Sequence, residues 1–488
     1  MNPTKLLKYI VLILFFIPLK GSAQLPDTLE LEEFLALARQ RNINVDAAKL
    51  DRSRADLDYQ LVQANLKPRL VANANLPNYV RTSREVLQPD GNIAFQRVSN
   101  NNSALGVTLS QNIAQTGGTV FVRSDLQRFD DFQTDATLYN GVPIRIGIFQ
   151  PLFGFNDLKW DKRLAPLRLQ EANKKYISDL ENINTLATQL FFDLLIARMN
   201  LNIANSNFSN NQSLFEIAEE RHALGKISDS DLLQLKVSLL NSQRNQKSAQ
   251  QSVRFASSVI YSFLGMDYDG TLLGADTPAA SATTTVDVKE ALDKAMATRF
   301  EQDSYVRMQA EADREIARVK GTGGLQADLS ASFGLTRAAM QLGDIYDSPQ
   351  DEQFAQVTLS VPILDWGEQK SRVAIAKAQK DYTARFVNQE QSRFRTEIQQ
   401  AVDQFNSIQQ ELELAKMLQE VAQERFGIAR ESFVLGAISI TELTIAQQEK
   451  DQALRSYIFV LSQYWNSYYQ LRALTLYDFK SNNNIKQQ

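Results

Sequence analysis

The stretch that decides the fold is EERHALGKISDSDLLQ, residues 219–234, because it has a near-copy 211 positions later, RESFVLGAISITELTI, residues 430–445. At this shift Gly225 aligns with Gly436, and each glycine follows a leucine and precedes a serine by three positions. Glycine commonly ends one helix, and a serine soon after it can cap the next. A long helical pattern precedes each glycine and another follows it. The sequence therefore predicts the tips of two long antiparallel helical hairpins.

The helical pattern before the first tip is too long for an ordinary globular protein. From about Asp157 to Leu224 the only helix breaker is Pro166, and apolar side chains recur every three or four positions. This spacing is a heptad-type seam, which is typical of coiled-coil packing. A helix of this length would extend ~100 Å, which no ordinary globular core can accommodate.

Composition excludes several classes of protein. The chain has 488 residues, of which 44% are hydrophobic and 22% charged, so we expect a large ordered structure. The formal net charge of −4 gives no basic footprint for nucleic acid. The sequence has no Cys and one His, His222, which we expect to be structural; thiolate, disulfide and zinc sites are therefore excluded. Because no catalytic constellation emerges, we expect no enzyme, no metal site and no cofactor.

The N-terminus has the pattern of an export signal. Lys5 and Lys8 precede an apolar core, Tyr9 to Leu19, and a small-residue cleavage site follows at residues 21–23. The apolar run is shorter than the ~20 residues that a membrane span needs, which favours cleavage over a retained anchor.

Two tandem repeats of unequal length carry the hairpins. Val288–Met296 echoes Leu31–Arg39 at a shift of 257 positions, whereas Pro151 and Pro362 are related by 211, so the first repeat contains extra strand-like sequence. The sequence allows a break in the first helix near Arg41–Asn44. We expect a signal peptide at 1–23, a first repeat at 24–267, a linker at 268–285, a second repeat at 286–478 and a disordered tail at 479–488. The first repeat comprises helices at 28–66, strands at 68–152 and a long hairpin at 157–264. The second comprises a helix at 287–320, strands at 325–364 and a long hairpin at 368–476.

The strand-like segments alternate apolar and polar side chains, as at Leu105, Val107 and Leu109. We expect four strands in the first repeat and two in the second. The expected connections are long polar loops near 77–103, 127–143 and 336–354 and a tight turn at 116–118. Strands of ~9–11 residues with one apolar face are the unit of an outer-membrane β-barrel, and a small amphipathic sheet packed on the helices is the alternative. Because open sheet edges do not survive in lipid, several protomers would have to close such a barrel together.

These features together resemble the TolC family of outer-membrane efflux channels, over about residues 28–478. The resemblance rests on the signal peptide, the tandem halves, the order of helix, strands and long helix, and the Leu-Gly-x-x-Ser tips. It implies a mainly α fold with a membrane β-barrel portion, in which a homotrimer shares one barrel in outer-membrane lipid and forms a periplasmic α-helical tunnel. It also implies the exit duct of a tripartite efflux or type I secretion system, with tips that dock onto a periplasmic adaptor coupled to an inner-membrane pump.

The family's adaptor-contact motif, Arg-x-x-Leu-Gly-x-x-Ser, maps onto both tips. In the second copy Ser432 stands where the arginine would be, which implies two unequal docking grooves. Simple helix-hairpin chemistry is the alternative interpretation of the same residues. The residues implied in docking are Arg221, Leu224, Gly225, Ser228, Leu435, Gly436 and Ser439.

The resemblance further implies a periplasmic gate near the second tip. Glu442 stands six positions after Gly436, where the family often carries an acidic residue that lines the closed end of the tunnel. Three such carboxylates would favour cations, and a solvated surface glutamate is the alternative. Phe433 matches an aromatic residue near the same constriction, with packing in the coiled-coil core as the alternative. Asp231 is the counterpart of Glu442 in the first tip.

Three questions stay open at the level of sequence. The extra strand pair, residues 105–126, either spans the membrane, giving a trimer about eighteen strands rather than about twelve, or decorates the periplasmic side. Drug, metal and protein export cannot be separated, because the chain contains no pump. A non-channel structural or adhesive trimeric coiled-coil surface protein is the competing function, which the amphipathic strands disfavour.

Overall fold

The computed structural model of the chain describes residues 25–89, 91–280 and 285–485. The expected signal peptide therefore lies outside the described residues, as do the last three residues of the expected tail. The chain divides into two compact units. We call them the hairpin unit, which comprises residues up to Val45, Glu181–Thr285 and Gln404–Gln470, and the sheet unit, which comprises Asp46–Leu180, Val286–Asp403 and the residues from Leu471 onward.

The elements follow the order that the tandem repeats predict, with short helices, strands and a long helical hairpin in each repeat. In the first repeat they are β1 (Thr28–Leu29), α1 (Leu31–Arg41), α2 (Ile43–Asn65), β2 (Arg69–Asn75), β3 (Tyr79–Leu87), β4 (Ile93–Ile113), β5 (Gly118–Asp131), β6 (Ala136–Pro151), α3 (Asp157–Ala223) and α4 (Asp229–Phe263). After it come β7 (Gly274–Ala275), α5 (Val288–Thr298), α6 (Phe300–Thr322), β8 (Gln326–Ala339), a 3-10 turn (Gly343–Tyr346), β9 (Gln350–Ser360), α7 (Glu368–Val434), α8 (Ile440–Thr475), β10 (Tyr477–Asp478) and β11 (Asn483–Asn484). None of the described helices is both long and apolar enough to cross a membrane.

Aromatic rings fill the core of the hairpin unit. The ring centre of Phe34 in α1 lies 6.4 Å from that of Phe191 in α3 and 6.2 Å from that of Phe263 in α4. In the second hairpin, Phe405 of α7 stacks on Tyr464 of α8 at 5.7 Å. Complete burial of a side chain of this size stabilises the fold by roughly 1.5–3 kcal/mol, so these contacts hold each pair of long helices together.

Polar contacts also join the long helices of the hairpin unit. The side-chain amide of Asn207 in α3 donates to the carboxylate of Asp451 in α8 at 2.6 Å. One turn further along α8, Arg455 Nε donates to Asn200 Oδ1 at 3.1 Å. The two hairpins therefore pack through α3 and α8.

Seven strands form one antiparallel sheet in the sheet unit. Their order is β2–β4–β5–β6–β8–β9, and β3 also pairs with β4. β4 has 21 residues, of which the C-terminal part pairs with β2 and the N-terminal part with β3. β2 and β3 thus follow each other along the same side of β4, and the sheet has six strand positions across its width.

The strands are longer than the sequence predicted. The loops expected near 77–103 and 127–143 are mostly strand, because β3 and β4 fill the first and the ends of β5 and β6 fill much of the second. These stretches are rich in polar residues and lack the regular alternation that marks a strand. Side-chain hydrogen bonds support the ladder instead; Asn101 Nδ2, for example, donates to Asp130 Oδ2 at 3.1 Å. Between residues 68 and 152 the first repeat accordingly has five strands instead of the four expected.

Each of the two shorter helical regions is broken at one residue. The helix expected at 28–66 is interrupted at Asn42, whose side chain accepts from the Asn44 N–H at 2.9 Å and donates to the Phe263 carbonyl at 2.8 Å. The helix expected at 287–320 is interrupted at Arg299, where the backbone is extended with ψ of 141°. The first break lies within Arg41–Asn44, where the sequence allowed one. The second break has no proline or glycine nearby that could have predicted it.

Three segments expected to be irregular are partly structured. In the linker at 268–285, β7 pairs in parallel with β1, and Arg198 donates to the carbonyls of Leu272 and Leu273 at 2.5 Å each. In the tail expected to be disordered, β11 pairs with β10. The loop at 336–354 is shortened at both ends by β8 and β9. Each segment is held by backbone pairing or by a distant side chain, which local composition does not reveal.

Arg299 joins three distant stretches of the sheet unit. The residue is 8% exposed. Its Nη1 donates to Ser178 Oγ at 2.9 Å and to the Ala473 carbonyl at 2.6 Å, while its Nε donates to Glu301 Oε2 at 2.8 Å. The guanidinium also lies 5.7 Å from the ring centre of Phe394. One side chain thus satisfies buried polar groups on α3 and α8.

Replacing Arg299 by Met should destabilise the protein by roughly 2–4 kcal/mol, because the change leaves buried acceptors and Glu301 without their donor. The measurement is the thermal unfolding midpoint of the purified protein in detergent, followed by circular dichroism. Arg318→Met in α6 is the matched control, since its ion pair with Glu315 is half exposed (49% and 44%) and such pairs contribute little. Equal midpoints for the two variants would contradict the anchoring role of Arg299.

Candidate functional site at the hairpin tips

The first tip is a tight reversal between α3 and α4. Gly225 has φ of +64°, in the left-handed region that glycine adopts without strain. Its N–H donates to the His222 carbonyl at 2.8 Å, and the Lys226 N–H donates to the Arg221 carbonyl at 2.9 Å. These two bonds close the last turn of α3, and α4 then begins after Ser228.

The second tip repeats this backbone geometry between α7 and α8. Gly436 has φ of +77°. Its N–H donates to the Phe433 carbonyl at 2.9 Å, and the Ala437 N–H donates to the Ser432 carbonyl at 2.9 Å. The duplication seen in the sequence is therefore also a duplication of hydrogen bonds.

Reciprocal hydrogen bonds cap both return helices. Ser228 Oγ accepts from the Asp231 N–H at 3.1 Å, and Asp231 Oδ2 accepts from the Ser228 hydroxyl at 2.7 Å. At the second tip Ser439 Oγ accepts from the Glu442 N–H at 3.2 Å, and Glu442 Oε2 accepts from the Ser439 N–H at 2.8 Å. A serine cap of this kind stabilises a helix start by ~1 kcal/mol. Asp231 and Glu442 thus hold helix starts, and the gate role implied for them stays a prediction.

The tips expose apolar surface that the chain itself leaves uncovered. Leu224 is 69% exposed and Leu435 is 84% exposed. A Cβ placed on Gly225 or Gly436 would meet no atom within 4 Å. Each tip therefore presents a leucine beside an open glycine, fixed in place by the capped helix that follows.

The structure brings together one predicted residue from each tip. The Arg221 guanidinium lies 5.9 Å from the centre of the Phe433 ring. Phe433 is 8% exposed and packs with Phe426, Leu443 and Ala446. Phe433 accordingly lies in the coiled-coil core, as its alternative interpretation had it, and a place at the gate stays a prediction.

The two tips differ in the surface beside them. A groove of about 460 Å³ lies between α7 and α8 at the second tip. Val421, Ile428 and Ile438 line it, with Ser432 and Glu442 among its polar residues. An arginine stacked on an aromatic ring thus marks the first tip, and a largely apolar groove marks the second.

The sequence did not predict a contact between His222 and Asp229. His222 Nε2 lies 2.6 Å from Asp229 Oδ1, which ties the end of α3 to the first turn of α4. Asp229 is thus the contact of His222, for which we expected a structural role. The signal in the sequence was an acidic residue at the first position of the helix that follows the glycine. Among the residues that the structure describes, no cluster of three or more His, Asp and Glu side chains could hold a metal ion.

Comparisons with known proteins agree with this architecture. The family model described as outer membrane efflux protein matches residues 34–266 and 306–475. The Campylobacter jejuni CmeC outer membrane channel is similar with a TM-score of 0.67 and 14% identity, over 94% of this chain and 87% of that one. The outer membrane protein VceC from Vibrio cholerae is similar with a TM-score of 0.64 and 14% identity, over 93% and 97%. The comparison with curated proteins gave no match.

The family match includes both repeats and both hairpin tips. At 14% identity the solved structures establish the fold, in which long helices are combined with strands. The predicted family, the predicted fold class and the predicted localisation, in the outer membrane with a helical portion in the periplasm, are thereby confirmed. The chain belongs to the outer membrane efflux protein family and is a passive outer-membrane channel, not an enzyme.

Proposed function

We propose that the chain is the exit duct of a tripartite efflux or type I secretion system, in which three copies share one tunnel and their hairpin tips dock onto a periplasmic adaptor. The observation that carries this proposal is the pair of tips, where an exposed leucine and an open glycine lie beside a reciprocal cap. The adaptor links the duct to an inner-membrane pump. The pump supplies the energy, because the sequence contains no nucleotide-binding motif.

Two apolar stripes on the hairpin unit support assembly of several copies. On α7, Leu414, Val421 and Ile428 follow at seven-residue intervals and are 63%, 63% and 61% exposed. On α4, Leu233 and Val237 are 61% and 57% exposed. An exposed heptad stripe is the surface that a further helix of a coiled coil covers. Because the stripes differ, α7 of one copy would meet α4 of the next, and such head-to-tail contacts can close into rings.

The sheet unit supports the same arrangement independently. In the described chain β9 has one neighbour in the sheet, and so does the edge formed by β2 and β3. Hydrocarbon cannot satisfy the unpaired N–H and C=O groups of an open edge. Pairing of β9 with the β2–β3 edge of the next copy removes both open edges and closes the sheet around a lumen.

The competing interpretation is a non-channel structural or adhesive trimeric coiled coil. It gives no reason for a sheet whose apolar side chains are exposed, such as Leu109 (43%), Ile146 (53%) and Phe333 (54%). Extraction of the protein from membranes distinguishes the two interpretations. A duct embedded in lipid needs detergent, whereas a coiled-coil surface protein is released from membranes by urea or alkaline washing.

Replacing Gly225 or Gly436 by Val should reduce export at least about tenfold, the loss that ~1.4 kcal/mol of docking energy corresponds to. A β-branched residue is strained at φ of +64° or +77° and adds bulk to the surface that docks. The measurement is export by cells that carry the variant with its adaptor and pump, together with the amount of assembled protein in the outer membrane.

Gly270→Val is the matched control for the glycine variants. Gly270 has φ of +94° and open space around it, but it lies in the linker after the first hairpin. Export should persist in this control, and assembled protein should be present in all three variants. Normal export by both tip variants would contradict the docking proposal.

Replacing Glu442 by Gln should lower the cation-to-anion permeability ratio roughly twofold or more, since a charge ~8 Å from a passing ion contributes at least about 0.5 kcal/mol. Glutamine at this position can still accept the hydrogen bond of the cap, so the change removes charge and leaves the helix start intact. The measurement is the reversal potential of the purified protein in a planar bilayer. Asp231→Asn, the equivalent change in the first tip, should have the smaller effect; an unchanged ratio for Glu442→Gln would remove this residue from the lumen.

A further inference from the structure

One row of apolar side chains crosses five strands of the sheet. Leu70 of β2 lies opposite Leu109 of β4, which in turn lies opposite Val122 of β5. Val122 lies opposite Ile146 of β6, which lies opposite Phe333 of β8. The five side chains are exposed to 68%, 43%, 37%, 53% and 54%, in that order. The β4–β5 hairpin supplies two of them, so its apolar face continues that of β6 and β8.

The neighbouring row lies on the other face of the sheet and is polar. Thr108 of β4 lies opposite Arg123 of β5, and Arg123 lies opposite Arg145 of β6. Arg145 reaches across Gly334, which has no side chain, to Glu352 of β9, with 2.5 Å between Nη2 and Oε2. The hairpin again supplies two members of the row. The apolar row therefore runs from β2 to β8 and the polar row from β4 to β9, so β4 and β5 carry both.

The turn between β4 and β5, at 114–117, lies level with the points where the neighbouring strands meet their helices. Asn156, which directly precedes α3, donates from Nδ2 to the Ala114 carbonyl at 2.9 Å. Gln111 donates from Nε2 to the carbonyl of Leu66, directly after α2, at 2.6 Å. A hairpin that only decorated the periplasmic side would not share this register with β2 and β6.

We propose that the β4–β5 hairpin spans the outer membrane with its apolar row against lipid hydrocarbon, so that each chain supplies six strand positions and a trimer closes a sheet of about eighteen strands in place of about twelve. The inference rests on the proposed trimeric duct. The occupant of the apolar face is the acyl region of the membrane, because the row is continuous with β6 and β8 and contains no charged side chain.

The number of strands sets the width of the lumen. Diameter grows roughly linearly with strand number, so a sheet of eighteen strands is about half as wide again as one of twelve and has about twice the cross-section. Arg123, Arg145 and Glu352 lie on the face that would line this lumen. The lumen of such a barrel would therefore be wider than that of a twelve-stranded one and would be lined by charged side chains.

A cysteine-free chain allows each face to be probed by one substitution. The test pair on β4 is Leu109→Cys on the apolar face and Thr108→Cys on the polar face. The matched reference pair on β8 is Phe333→Cys on the apolar face and Ser332→Cys on the polar face. The probe is a charged, membrane-impermeant thiol reagent applied to the full-length protein in lipid vesicles. Leu109→Cys and Phe333→Cys should react at least about tenfold more slowly than their neighbours, because hydrocarbon excludes charge. Val122→Cys replaces Leu109→Cys should that variant fail to assemble.

The outcomes separate this inference from the proposed function. Fast labelling of Leu109→Cys with protection of Phe333→Cys would overturn the spanning hairpin and leave the duct intact. Fast labelling of both would overturn the duct as well. Electron cryo-microscopy of the assembled protein gives an independent count: eighteen strands support the inference, and twelve strands, with β4 and β5 outside the closed sheet, refute it.

Discussion

Backbone hydrogen bonding is the constraint on which the rest of the structure depends. A sheet in lipid must pair all its N–H and C=O groups within protein, yet β9 and the β2–β3 edge each have one neighbour in the described chain. The hairpin unit is incomplete in a different way, because the exposed stripes of α4 and α7 need partner helices. In the proposed trimer, neighbouring copies pair the edges of the sheet unit and cover the stripes of the hairpin unit.

Duplication has preserved the backbone of the tips and changed their side chains. Gly225 and Gly436 share the left-handed conformation, and a serine with an acidic residue caps each return helix. Around this common frame, Arg221 stacks on an aromatic ring, whereas Ser432 takes the equivalent position in the second tip. The two copies are therefore equivalent as turns and different as surfaces. A partner that contacts both tips must recognise two chemistries on one fold.

Features with local causes were predictable from the sequence, and features with distant causes were not. The long helices follow from heptad spacing, and the tips from glycine and serine at fixed offsets. The polar strands β3 and the first half of β4 carry no alternation, so only pairing with distant strands reveals them. Arg299 stands at a helix break and binds groups near residues 178 and 473, which are distant in sequence. At the site, the tip geometry was predictable, but the stacking of Arg221 on Phe433 joins different hairpins and depends on tertiary packing.

Register between the hairpins determines which tip residues meet. Asp451 of α8 is 5% exposed and accepts from Asn207 of α3 at 2.6 Å. A buried polar pair in a coiled-coil seam specifies register, because displacement of one helix would separate the carboxylate from its donor at a cost of several kcal/mol. An apolar pair would tolerate such a slip far better. The same register places Arg221 over the Phe433 ring, so a polar contact inside the hairpin unit fixes the surface that the tips present.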